Sequence, residues 1–167
     1  EEVGDEHGLE VFEQQGALWD VFDGPHIDRI ALWEFAIGNT DWSVSALHNI
    51  VMFRDSTGGY RPVAYDFDWT GLVNPRYAFP NATLGIRTVR ERLHRGPCRT
   101  AAQWAPTVAH FQARRAALDS IWSTPEPGQD ARRLAEAKRY LDEFWRVLED
   151  PRAFKREVID RCQPLGN

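Results

Sequence analysis

The sequence predicts a mainly α-helical domain that carries one small antiparallel β-hairpin. Three observations predict it. Leu134, Ala137, Leu141, Phe144 and Leu148 recur three and four residues apart, which lays one apolar stripe along a helix. Asn49 to Asp55 and Tyr60 to Asp66 read as strands, with the turn chemistry of Ser56-Thr57-Gly58-Gly59 between them. Seven Trp and nine Phe among 167 residues, at 43% hydrophobic content, suffice to pack the core of one domain spanning 1–167.

Taken in order, residues Gly8 to Phe22 are expected to be helical, with Leu9, Phe12, Leu18, Val21 and Phe22 apolar and Gly16 weakening the pattern. Asp23-Gly24-Pro25 is a turn signal. A helix from Ile27 to Ile37 follows. It has Asp28 in its first turn, where a carboxylate favours the helix dipole, and Gly38-Asn39 as its C-cap. Thr40 to His48 forms an irregular loop. Pro62 has no N–H to donate, which assigns the second strand to an edge. Trp69 to Thr83, interrupted by Gly71, Pro75 and Pro80, reads as an extended loop. Ile86 to Leu93 reads as a short basic helix broken by Gly96-Pro97. Thr100 with Gln103 makes a capping box for a long helix ending near Trp122, which Pro106 kinks or restarts. Ser123 to Gly128 is a break, Gln129 to Glu149 the strongest helix, and Asp150-Pro151 opens a last short helix through Arg161.

Bulk properties narrow the function. No run of 18 apolar residues exists, so no membrane span is expected. A net charge of -5 and a pI of about 5.5 argue against a nucleic-acid binder. The chain starts Glu1-Glu2, which suggests a processed product or a fragment. Cys98 and Cys162 are too few and too far apart for a zinc motif. They read as free core thiols or as one disulfide, and the disulfide would imply an oxidising compartment.

Polar chemistry concentrates around the hairpin. With a loop of Ser56 to Gly59, Asp55 would pair with Tyr60 and Asn49 would stand opposite Asp66, their Cβ atoms about 5 Å apart. Asp68, two residues on, would share that face if the strand stays extended. Two acids so close repel unless a cation lies between them, which suggests a hard cation such as Mg²⁺ and a phosphate-bearing substrate. Asp41, in the loop closed by His48-Asn49, is placed to accept a proton from an attacking hydroxyl. Structural roles compete with these: Asp66 and Asp68 as caps of loop amides, Asp41 as an Asx-turn residue, His48 as a loop-holding donor. Arg87, Arg90, Arg92, Arg95 and Arg99 read as a solvated helix face or a phosphate site. Ser43, Ser45 and His48 invite a triad reading, but no Gly-x-Ser-x-Gly elbow exists.

The pattern Gly38-Asn39-Thr40-Asp41, His48-Asn49, Tyr65-Asp66-Phe67-Asp68 resembles an atypical protein-kinase-like group that includes spore-coat kinases and HipA-type bacterial toxin kinases. From Ile37 to Pro80 it is also similar to an uncharacterised bacterial group with the same Asp-Phe-Asp signature. The resemblance implies the C-terminal lobe of a kinase-like fold, with Asp41 as catalytic acid-base residue, Asn49 and Asp66 as nucleotide-metal ligands and Asp68 as the alternative occupant of the last role. It implies ATP with Mg²⁺ or Mn²⁺ as cofactors and phosphoryl transfer to an acceptor of unknown kind. Asp41 and Asn49 lie eight positions apart, where such kinases use about five. No Gly-rich phosphate loop and no lysine-bearing strand precede them, so a nucleotide-gripping N-lobe is expected as a missing partner segment. The competing expectations are a non-catalytic, degenerate lobe that binds a partner, and a phosphohydrolase. The compartment expected is bacterial cytoplasm, or cell envelope if the two cysteines pair.

Overall fold

A computed structural model describes residues 7–123, 126–164 and 166. It is mainly helical with a three-stranded antiparallel sheet in the order β1-β2-β3, and so agrees with the expected class. The strands are β1 (Glu10–Val11), β2 (Ile50–Arg54) and β3 (Tyr60–Ala64). The helices are α1 (Gly24–Ile37), α2 (Ala101–Gln112), α3 (Arg115–Ser120), α4 (Ala131–Glu149) and α5 (Pro151–Glu157). No helix is long and apolar enough to cross a membrane among the described residues.

Helix α1 runs through the middle of the molecule. Ile27, Ala31, Leu32, Phe35, Ala36 and Ile37 are all buried, so it presents apolar side chains on nearly every side rather than on one stripe. Pro25 in its first turn carries a missing N–H at no cost, and Gly38, at φ +68°, ends it in a left-handed cap. The helix starts at Gly24 rather than Ile27, so Asp28 lies beyond its first turn. It is buried and paired with Arg99 at 3.0 Å.

Helix α4 realises the expected stripe, burying Tyr140, Leu141, Phe144, Trp145 and Leu148. Around it, Phe35, Phe111 and Phe144 pack in edge-on pairs with centroids 5.8–6.3 Å apart. Trp104 is fully enclosed between His94 and Phe154. Truncating one of these large residues removes about 3–5 kcal/mol by the usual cavity cost. The capping box forms as expected: the Thr100 hydroxyl accepts from Gln103 N, and the Gln103 side chain accepts from Thr100 N. Cys98 and Cys162 are joined in a disulfide, which ties the C-terminal segment to the middle of the chain; Gln163 N donates to Gly96 O beside it.

Four expectations are corrected. Gly8 to Phe22 is not a helix: β1 joins the sheet and only Trp19–Val21 forms a helical turn, because Phe12 N finds its acceptor on Met52 O. Ile86 to Leu93 is not a helix either, since its arginines reach inward to carbonyls of other segments. The helix expected over Thr100 to Trp122 breaks at Ala113–Arg114 and continues as α3. Pro106 does not set its start, which lies at Ala101; it stands inside α2. Thr124 and Pro125 of the expected break lie outside the described residues.

Candidate functional site

The loop after α1 is built to present Asp41. Asn39 N donates back to Glu34 O at 2.8 Å, and its buried side chain then accepts from Asp41 N at 2.9 Å, an Asx turn that swings the chain outward. Arg95 lies beneath. Its Nη1 donates to Thr40 O at 2.5 Å and Trp42 O at 2.8 Å, the two carbonyls that flank Asp41. Burial lowers the Arg95 pKa, and the negative charge of Asp41 opposes that shift. Ser43 and His48 then exchange both backbone hydrogen bonds, at 2.9 and 3.0 Å. That closure folds residues 44–47 into a small loop and so absorbs the eight-residue spacing from Asp41 to Asn49.

The result is a carboxylate held on both oxygens. Asn49 Nδ2 donates to Asp41 O at 2.7 Å and to Asp41 Oδ2 at 3.2 Å. His48 Nε2 meets Asp41 Oδ1 at 3.0 Å. An amide nitrogen alone can donate to a carbonyl and a carboxylate, so these two bonds fix the flip of Asn49 and leave its Oδ1 as an acceptor. The pair is open to solvent, with 40% of the Asp41 side chain and 56% of His48 exposed. His48 is committed to Asp41, while the Ser43 hydroxyl meets Ser45 Oγ and Ala46 N, so these contacts do not assemble the triad.

The hairpin register differs by one residue from that expected. Arg54, not Asp55, pairs with Tyr60, and the ladder ends with Tyr65 N donating to Asn49 O at 3.1 Å. The cause is Asp55. Its Oδ1 leaves the ladder to accept from Thr57 N, Thr57 Oγ1 and Gly59 N, with Arg61 on Oδ2. Those hydrogen bonds, that from Thr57 foremost, lower its carboxyl to about 2. The turn, 55–59, is therefore one residue longer than the Ser56–Gly59 loop read from sequence, with Gly58 left-handed at φ +85°. Asn49 thus stands opposite Tyr65, and Asp66 lies one residue beyond that rung.

Asp66 is also not in an extended strand. β3 ends at Ala64, and Asp66 turns the chain at φ +57°. The alternation that would have set Asp66 and Asp68 on one face is lost there. Asp68 instead accepts from Tyr77 OH at 2.9 Å, which raises the Tyr77 pKa. The structure therefore brings Asp41 and Asn49 into contact, carries Asp66 to the same end of the hairpin, and commits Asp68 to Tyr77. No group of three or more His, Cys, Asp or Glu side chains disposed to hold a metal ion occurs among the described residues. Leu47, Asn49 and Asp66 all take positive φ, so three of the rarely adopted backbone conformations of this chain cluster at this one end.

Three site features escaped the sequence. Arg95, expected on a solvated helix face or at a phosphate site, braces the Asp41 loop. Its neighbours act likewise: Arg92 donates to Ala36 O and Tyr140 O, Arg90 to Gly71 O, and only Arg87 is a solvated side chain of the kind expected. Asn39, read as a cap, orients Asp41. A cavity of about 240 Å³ opens beside Asp41, walled by Trp69, Phe79, Pro80 and Asn81. Trp69 and Phe79 rings meet at 5.2 Å along it. Trp42, by contrast, is plain core at 1% exposure.

No family model, curated protein or solved structure matches this chain.

Proposed function

We propose that this domain catalyses phosphoryl transfer from ATP to a hydroxyl acceptor, as the C-lobe of a protein-kinase-like phosphotransferase. The observation that carries the reading is the double hydrogen bond from Asn49 Nδ2 to Asp41. It fixes a partly exposed carboxylate that lines a cavity and leaves the Asn49 amide oxygen beside it as an acceptor. In the transfer, an Asp41 oxygen takes the proton of the acceptor hydroxyl. The acceptor oxygen bonds to the γ-phosphorus, and the bond from that phosphorus to the bridging oxygen breaks, its electron pair leaving with ADP. His48 and Asn49 position the carboxylate, and Arg95 fixes the main chain on both sides of it.

Asn49 Oδ1 and the Asp66 carboxylate are hard oxygen donors, and they suit Mg²⁺ or Mn²⁺. When bound, the ion would neutralise charge on the phosphate oxygens. Asp68, engaged with Tyr77, is assigned a supporting role behind Asp66. A lobe that grips the nucleotide is the partner this reading calls for. The disulfide supports an oxidising compartment such as the cell envelope as the setting.

The test is calorimetric titration with Mg²⁺ and a non-hydrolysable ATP analogue, alongside product analysis with ATP. Heat that disappears in Asp66→Ala and Asn49→Ala but survives in Asp41→Asn, with transfer lost in all three, is the expected pattern. No heat at millimolar nucleotide would move the reading to a non-catalytic binding lobe. Free phosphate with no modified acceptor would mark a phosphohydrolase.

A further inference from the structure

A second site lies away from Asp41. A cavity of about 690 Å³ runs between α1, the outer edge of β3 and the α2–α3 corner. That volume falls within the range of about 300–1,000 Å³ usual for small-molecule sites. Its walls are apolar, with Trp33, Phe67, Leu118 and Ile121 among them, and Val63, Phe67 and Ile121 are 43%, 37% and 60% exposed. Solvent-facing residues of that size gathered on one concavity mark a binding surface.

The titratable groups that line the groove are all basic: His26, Arg29, His110 and Arg114. No carboxylate lines it. Among the described residues neither Arg29 nor Arg114 has a carboxylate partner, and Asp28, next in sequence, is committed to Arg99. Partial burial and the charges of Arg114 and Arg29 lower the His110 pKa, which reports how close these groups lie. Positive charge therefore goes unneutralised at the rim of an apolar trough.

The wall chemistry also selects the occupant. A peptide brings an N–H and a C=O at every residue, and each needs a partner when buried. The groove offers no Ser, Thr, Asn, Gln, Asp or Glu side chain. Strand addition at β3 is blocked as well: Pro62 has no N–H, His26 Nε2 takes its carbonyl at 2.8 Å, and Tyr60 is already bridged to Phe22. An alkyl chain makes no such demand. We propose that this groove binds a single long-chain fatty acid, its tail along Trp33, Phe67 and Leu118 and its carboxylate at Arg29 and Arg114.

The experiment is isothermal titration of the 167-residue chain with sodium dodecanoate, kept below its micelle concentration. Dodecyltrimethylammonium, with the same tail and opposite charge, is the control. Saturable one-to-one binding of dodecanoate, at least tenfold tighter than the cation, is expected. Arg29→Glu with Arg114→Glu should reverse that preference, and Ala117→Trp at the exposed wall should abolish binding of both, with circular dichroism unchanged. The proposal fails if dodecanoate does not saturate, if both amphiphiles bind alike, or if folded Ala117→Trp binds like the parent chain.

Discussion

Glu34 is 1% exposed, and neither of its carboxylate oxygens has a hydrogen-bond partner. Burial pushes its pKa from 4.5 up to about 8, with the Asn39 amide beside it pulling the other way short of a formed hydrogen bond. The native state thus keeps a proton that the unfolded chain gives up. Stability from this group is complete below pH 4.5, falls as pH rises, and is lost by about pH 8. Glu34→Gln, which stays neutral, should flatten that decline, gaining roughly 5 kcal/mol on the parent between pH 4 and pH 9 in urea titrations. His94 works in the opposite sense. Its burial lowers the ring to about 4 from 6.5, so its contribution is present above 6.5 and is lost as pH falls toward 4. His94→Leu should remove that acid limb from the same titrations. At this scale the sequence was informative about identity and less so about partners. Asp41 and Asn49 stood out as polar residues among aromatics and do meet. Asp66 and Asp68 stood out equally, but one turned residue and one tyrosine hydroxyl send them to different partners. Neither effect has a local sequence signature.

Among elements, α4 was legible because its stripe repeats over nineteen residues, and α1 because turn and cap bracket it. The segment before α1 and the arginine-rich stretch after β3 were misread for one shared reason. Helical composition there is overridden by long-range bonds, to Met52 O in one and to Ala36 O, Gly71 O and Thr40 O in the other. The hairpin was found but set one rung out, because Asp55 serves the turn better than the ladder. Two element-scale predictions follow from the anchors. Thr100→Ala removes one half of the capping box and should destabilise the chain by about 1 kcal/mol in thermal or urea unfolding. Replacing both Cys98 and Cys162 with Ser opens a link across 64 residues and should remove about 4 kcal/mol, read as a lower urea midpoint at unchanged slope if the denatured chain expands little.

Across the whole molecule, one side chain joins the helical half to the site. Tyr140 of α4 is 1% exposed, stacked beneath Arg92 at 3.6 Å and Arg90 at 4.3 Å, and pressed against Gly38 and Gly71. A methyl group at Gly38 would fall 1.9 Å from its hydroxyl oxygen, and one at Gly71 would fall 2.3 Å from it and 2.5 Å from Val89 O. That oxygen has no hydrogen-bond partner. Tyr140→Phe should therefore be neutral or stabilising by up to about 1 kcal/mol, whereas Gly71→Ala should destabilise by more than 2 kcal/mol in the same urea assay. Combining the two should recover only part of the loss, since Val89 O still stands in the way. The three positions occupy one volume, and that has a historical consequence. A lineage that enlarges residue 71 or 38 must already have given up the tyrosine, so the order in which such changes can accumulate is constrained. Relatives of this chain should then vary at 38, 71 and 140 as a linked set or hold all three unchanged.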